Sequence, residues 1–197
     1  MNEIWRVTTE PVTEPVVLEE AKTHLRVEHD DDDSYISDLC RIARQWVEMY
    51  QRRALITQTI TLYLADWPSM IYLPRPRLQS VTSIYYTDTG GTNTLLSSSY
   101  YTVDTIHEPG RIYEAWSYSW PSARPIDKAI TIVYVAGYGD AAANVPDVTK
   151  HAIKLLIGHW YENRQTHLDF VLHEIPLGIR ALLDAERVNI FPEIAFA

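Results

Sequence analysis

Histidines and carboxylates gather in the last third of the chain at spacings from which a metal site can be drawn. His151 and His159 stand eight residues apart, Glu162 lies three beyond His159, and His167, Asp169, His173 and Glu174 follow. Such intervals put side chains on one helix face, and imidazole with carboxylate is a ligand set for zinc-like ions, so a metal-dependent hydrolase is one reading. The stronger reading is structural, because a histidine on a helix that also carries Trp160 and Tyr161 serves packing or an interface. The expected metal content is none. The run Asp30 to Asp33 suggests calcium, but a loop begun at Asp30 would need glycine at position six and glutamate at position twelve, where Tyr35 and Arg41 stand. Aspartates followed by Ser34 are instead expected to satisfy the free amides of a helix start.

Nucleotide and nucleophile chemistry find less support. Gly137-Tyr138-Gly139 follows an expected strand and precedes an expected helix, the place of a phosphate-binding turn, but the third glycine and the acidic ribose partner are missing. The phosphate loop Gly-x-x-x-x-Gly-Lys-Ser/Thr, the pair His-Glu-x-x-His and the elbow Gly-x-Ser-x-Gly do not occur. No cofactor and no enzymatic activity are expected. Cys40, the single cysteine, excludes an internal disulfide and a thiolate cage, and its place beside Ile36, Ala43 and Val47 assigns it to a core.

The other unusual feature is aromatic content, six Trp and thirteen Tyr. Rings with one polar end suit surfaces that are half wet, subunit interfaces among them, although plain sheet packing uses the same residues. The candidate contacts are Tyr85, Tyr86, Trp116, Trp120, Tyr138, Trp160, Tyr161 and Arg164, with Phe191 and Phe196 in an apolar tail. A monomeric module gripping a peptide or glycan with these rings is an alternative reading.

Charge narrows the partners. With 17 basic against 26 acidic residues and no basic stripe, the net charge of −9 opposes a tight grip on DNA phosphates, while it suits a surface that DNA passes without sticking. No apolar run approaches the roughly 18 to 20 residues of a membrane helix, and Met1 to Glu10 has neither a basic leader nor an apolar segment, so the expectation is a cytosolic product without a membrane partner.

The elements that must position these residues fall into three stretches. Leu18, Ala21 and Leu25 have helical spacing within Pro15 to Val27. A broad stripe of Tyr35, Ile36, Leu39, Cys40, Ile42, Ala43, Trp46, Val47 and Tyr50 predicts a long second helix. From Ile56 to Ala136 the period becomes two, with strands expected at Ile60 to Leu64, around Ile71 and Leu73, at Val81 to Tyr86, Asn93 to Leu96, Tyr100 to Thr105, Arg111 to Tyr113 and Ala129 to Ala136. Thr89-Gly90-Gly91-Thr92 marks a hairpin. Helical spacing returns after Val145-Pro146 in Val148, Ala152, Leu155, Leu156, His159 and Trp160, then in a short helix from Leu177 to Ala185 and an aperiodic tail, residues 186–197. The fold class expected is α+β, a mainly helical bundle with a central antiparallel β insertion (sheet or small barrel), read as one domain: helices at about 16–52 and 146–185 around a β module at about 56–136.

Four blocks in order then resemble one family. Val17-Leu18-Glu19-Glu20-Ala21-Lys22-Thr23-His24-Leu25-Arg26-Val27, the aspartates and Arg52-Arg53-Ala54-Leu55-Ile56-Thr57-Gln58-Thr59 form the first. Leu73-Pro74-Arg75-Pro76-Arg77-Leu78-Gln79-Ser80-Val81-Thr82-Ser83-Ile84 is the second. The third runs from Tyr134-Val135-Ala136-Gly137-Tyr138-Gly139-Asp140 through Val145-Pro146 to His159-Trp160-Tyr161-Glu162-Asn163-Arg164, and the fourth is Ile175-Pro176-Leu177-Gly178-Ile179-Arg180-Ala181-Leu182-Leu183. Together they resemble the head-tail connector (head-completion adaptor) family of tailed double-stranded DNA phages.

That resemblance implies binding rather than turnover. Members sit beneath the portal protein after DNA packaging, form a ring of about twelve copies, and offer a platform to a tail-side stopper or tail completion protein. It implies a virion component at the head-tail junction, made in the host cytoplasm, past which DNA moves without specific binding. The long helices would form the subunit core, the β module would supply contacts, and the tail after Glu186 would order on meeting the portal.

Overall fold

The computed structural model describes residues 4–164 and 177–188. They form two compact units: residues 4–10, 57–137 and 188 in a β unit, and residues 11–56, 138–164 and 177–187 in a helical unit.

The β unit holds eight strands in two antiparallel sheets. The larger has the order β1 (Ile4–Thr9), β2 (Gln58–Leu64), β8 (Ile130–Ala136), β4 (Leu78–Thr87), β5 (Asn93–Leu95). The smaller has the order β3 (Met70–Tyr72), β7 (Arg111–Glu114), β6 (Tyr101–Asp104). Alternation fixes the register because a slip by one residue would turn every core side chain to water. Ile60 therefore lies opposite Tyr134, Leu62 opposite Ile132 and Leu64 opposite Ile130, all buried, and Ile132 meets Ile84 on its other side. The buried Tyr134 keeps a partner for its hydroxyl, donating to the Pro74 carbonyl at 2.6 Å. The expected hairpin joins β4 to β5: Gly91 takes φ 91°, where a Cβ is disfavoured, and Asp88 receives the amides of Gly91 and Thr92.

One strand was not expected. β1 pairs along β2 with Trp5 opposite Leu62, and Ile4-Trp5-Arg6-Val7-Thr8-Thr9 has the aromatic and β-branched content of a strand. The expectation of a mainly helical protein therefore overweights the helices, since four of them stand beside eight strands among the described residues, and the α+β class fits.

The helical unit packs α1 (Leu18–Leu25), α2 (Asp33–Gln51), α3 (Asp147–Glu162) and α4 (Leu177–Asp184) around one core that includes Ala21, Ile36, Cys40, Val47, Leu156, Ile157 and Leu183. Two apolar stripes are rotated from their expected phase. On α2, Ile42 is exposed while Arg44, Glu48 and Gln51 are buried; on α3, Val148 is exposed and Thr149 and Ile153 face the core with Ala152 and Leu156. The polar residues on α2 each find a partner where they lie, although the Gln51 side-chain oxygen is buried without one among the described residues. Arg44 Nε donates to Glu14 Oε2 at 2.8 Å, Arg44 Nη1 to Glu48 Oε2 at 3.0 Å, the Leu55 amide to Glu48 Oε1 at 2.9 Å, and Gln51 Nε2 to the Leu183 carbonyl at 3.1 Å. Buried charges persist when so paired.

The expected capping role of the aspartates is corrected. Asp32 is the N-cap of α2 but its side chain makes no capping hydrogen bond, and Asp30 and Asp33 instead hold the Lys22 ammonium at 2.6 and 2.7 Å. An ammonium with a largely buried stem competes for the carboxylates more strongly than backbone amides do, because its bonds are charge-assisted. The bond to Asp30, then that to Asp33, raises the Lys22 pKa above its ordinary range.

Candidate interaction surfaces

The expected contact residues divide between the two units. In the helical unit, Tyr161 and Arg164 meet at Asp32: the Tyr161 hydroxyl donates to Asp32 Oδ2 at 2.6 Å and Arg164 Nη2 to the same oxygen at 2.9 Å. The Arg164 guanidinium lies 4.6 Å from the Tyr35 ring centre and 5.0 Å from that of Tyr161. The Tyr161 bond, assisted by Arg164, holds the Asp32 carboxyl below the usual carboxylate range despite an opposing effect of burial. Trp160 is half-buried, and its carbonyl accepts from the Tyr35 hydroxyl at 3.4 Å. This cluster ties the end of α3 to the start of α2; partners separated by 129 and 132 residues leave no sequence signal.

Tyr138 belongs to a second tie. Its hydroxyl accepts from Arg53 Nη1 at 2.8 Å and donates to Glu186 Oε2 at 3.2 Å, while Arg53 Nε donates to the Glu186 carbonyl at 2.8 Å. The neighbouring glycine has a structural use: Gly139 takes φ 153°, and a Cβ there would stand 2.6 Å from Asn144, whose Oδ1 receives the Ala141 amide.

Among the described residues, no group of three or more His, Cys, Asp or Glu side chains is placed to hold a metal. His151 is exposed, and near it His24 has a pKa lowered by burial first and then by the charges of His151 and Lys154. His167, Asp169, His173 and Glu174 lie outside the described residues, as do Phe191 and Phe196. Cys40 is in the core as expected, where burial pushes its thiol pKa up to about 11.

In the β unit, Tyr85 and Tyr86 lie on β4 and are half-buried, opposite Leu95 and Thr94 of β5. Trp120 is built into the fold: its ring stacks on Trp67 at 4.6 Å and 4°, its Nε1 donates to the Pro68 carbonyl at 3.1 Å, and its amide donates to Glu114 Oε1 at 2.7 Å. Trp116, four residues earlier, projects outward with 94% exposure. The turn beneath it closes by the Tyr118 amide bonding the Ala115 carbonyl at 3.0 Å, with Ser117 at φ 68° and the Tyr118 ring 4.9 Å from that of Tyr100. Sequence reasoning missed the exposed Ile106 and Val12, and the pairing of Arg75 over the Trp5 ring at 4.8 Å.

A second ionic cluster of this unit has a pH signature. Asp104 Oδ1 receives the amides of Ile106 and His107 at 3.0 and 3.2 Å; Oδ2 receives the His107 ring and, at 3.1 Å, Arg111 Nη2. Burial opposes ionisation, but the amides of His107 and Ile106 and the His107 ring outweigh it and hold the Asp104 pKa at about 2. A folded pKa below the unfolded value of about 4 stabilises the fold fully above that value, and the contribution drains away as pH falls through about 2. Thermal unfolding of Asp104→Asn should therefore show a shallower acid decline between pH of about 4 and about 2 than the parent; an identical slope excludes this account.

Fold and surface define the class as a two-unit α+β protein whose presented groups are aromatic and ionic contacts. Residues 15–106 match the model of the phage gp6-like head-tail connector protein family, a family of structural proteins. The resemblance drawn from the first two sequence blocks stands over that segment; the blocks from Tyr134 onward lie outside it. Among solved structures, a chain of the virion of a native gene transfer agent particle aligns with a TM-score of 0.79 at 22% identity. A chain of the neck of an empty particle of that kind, computed with C6 symmetry, aligns with a TM-score of 0.79 at 24% identity. One of the neck of a native particle, computed with C12 symmetry, gives 0.76 at 22%. Each alignment covers 96% of this chain and 98% of the other, so the likeness in fold extends over both units. No curated protein matches the chain.

Proposed function

We propose that the chain is a head-tail connector that assembles as a homo-oligomeric ring beneath the portal protein, completes the DNA-filled head and carries the tail attachment platform. The match of residues 15–106 to the connector family carries this reading. A fold shared along nearly the whole chain with components of particle necks supports it. The work is binding, done at the head-tail junction of the virion after synthesis in the host cytoplasm. Its partners are the portal on one side, a stopper or tail completion protein on the other, and further copies of itself, about twelve in a cyclic head-to-tail arrangement.

The charge of the chain suits that place. A net charge of −9 gives passing duplex DNA little to hold, since phosphate binding requires clustered cations. In this reading Phe191 and Phe196, in the tail, are portal contacts. Co-sedimentation of the purified chain with purified portal protein tests the assignment: stoichiometric co-migration is expected, and a chain left wholly in the unbound fraction contradicts it. The exposure of Trp116 favours one rival, a monomeric module that grips a peptide or glycan. That rival predicts no association with the portal.

A further inference from the structure

Trp116 exposes 94% of its surface, although an indole offers about 150–250 Å² of contact area and is among the side chains most concentrated at binding hot spots. The turn that carries it is already stiff. Ser117 holds a left-handed φ of 68°, the Ala115 amide is bound to the Tyr100 carbonyl at 2.9 Å, and Trp120 is stacked and twice hydrogen-bonded at the base. The backbone that presents the indole has little ordering left to undergo, so the ordering cost on binding is confined to the torsions of the Trp116 side chain itself.

The helical unit carries a cleft of matching size. It measures about 260 Å³ and is lined by Val12, Glu14, Val16, Val17, Leu18 and Cys40, with Val12 99% exposed at its rim. Small-molecule sites begin near 300 Å³, so this cleft is scaled to one large side chain. A larger hollow of about 670 Å³ is lined by Glu19, Lys22, Arg26, Glu28 and Asp30, whose desolvation would oppose an indole.

We propose that Trp116 of one copy seats in the Val12 to Cys40 cleft of the next copy, anchoring a head-to-tail contact between copies of this chain. The proposal rests on the ring reading and adds the residues that would make the contact. A knob and a hole at different places on one chain give a heterologous interface, the kind that closes into a ring. Glu14 supplies an acceptor for the indole N–H: one of its oxygens takes Arg44 Nε at 2.8 Å, and a carboxylate accepts about four hydrogen bonds. Trp116 with the partly exposed Tyr118 and Tyr113 would bury roughly 600–900 Å² over both partners, below the about 1,000 Å² of a stable pair. Two free copies would associate weakly, and ring closure would supply the missing strength through effective concentration.

Covalent capture tests this without stable association. A Val12→Cys chain is mixed with a Ser119→Cys chain, both retaining Trp116, under mild oxidation at neutral pH; Cys40, buried with a thiol pKa of about 11, stays out of the exchange. The mixture is expected to yield the crossed dimer about tenfold over the self-dimers of either chain, and adding Trp116→Ala to the Ser119→Cys chain is expected to remove that excess. Trp116→Ala touches an exposed side chain, so unchanged circular dichroism shows that the fold is intact. No preference for the crossed pair, or the same yield without Trp116, overturns the proposal. A Trp116→Ala chain that still closes rings on the portal removes the anchor and leaves the connector reading standing; a Val12→Cys and Ser119→Cys mixture without crossed dimer, together with an unmodified chain that forms no rings on the portal, removes both.

Discussion

Replacing Arg44 by methionine should lower stability by about 3–5 kcal/mol, measured by urea unfolding followed through helical circular dichroism. The Arg44 side chain is 3% exposed and bridges Glu14 and Glu48, the latter 5% exposed. Methionine fills most of the volume, so little of the loss comes from packing. It comes from two carboxylates left without their cation, one of them buried. The comparison with Glu48→Gln separates charge from geometry. Glutamine keeps an acceptor for the Leu55 amide and leaves Arg44 with Glu14, so its cost should be closer to that of one charged hydrogen bond, about 1.5–3 kcal/mol. Equal and small losses in both variants would show that the network contributes little.

Leu62→Ala should cost about 2–5 kcal/mol in the β unit. Leu62 is fully buried at the middle of β2, with Ile132 opposite on one side and Trp5 on the other. Strands on both sides limit collapse into the space left behind, which places the cost toward the upper part of that range. Leu62→Met, which conserves volume, should cost less than about 1.5 kcal/mol. A methionine variant as unstable as the alanine one would mean that shape, not lost volume, governs the site.

The elements of the fold were legible where a single period dominates. Ile60, Leu62 and Leu64 announce β2 by alternation, and Ile36, Leu39, Ala43 and Val47 announce α2 by helical spacing, because burial on one face acts on every turn or every second residue. What was not legible depends on partners distant in the chain. The phase of α2 is shifted because Arg44 finds Glu14, and the aspartates leave their capping role because Lys22, Tyr161 and Arg164 reach them. β1 escaped notice because it is a single strand ahead of two helices, its pairing partner more than fifty residues on.

The candidate surfaces divide in the same way. Aromatic composition marked both Trp116 and Trp120, yet one projects into solvent and the other lies on Trp67, a difference set by a turn at Ser117 that no residue type there requires. The histidines that first suggest metal chemistry share little geometry among the described residues: His151 is exposed beside Lys154, and His159 contributes its carbonyl to the end of α3. The connector resemblance came from blocks of sequence, and the family match returns the first two of them.

End-on electron microscopy of purified portal protein with and without this chain tests the connector assignment most directly. The account predicts a second closed ring, built of copies of the chain, on one face of the portal. Portal particles that stay bare in an excess of folded chain would contradict it.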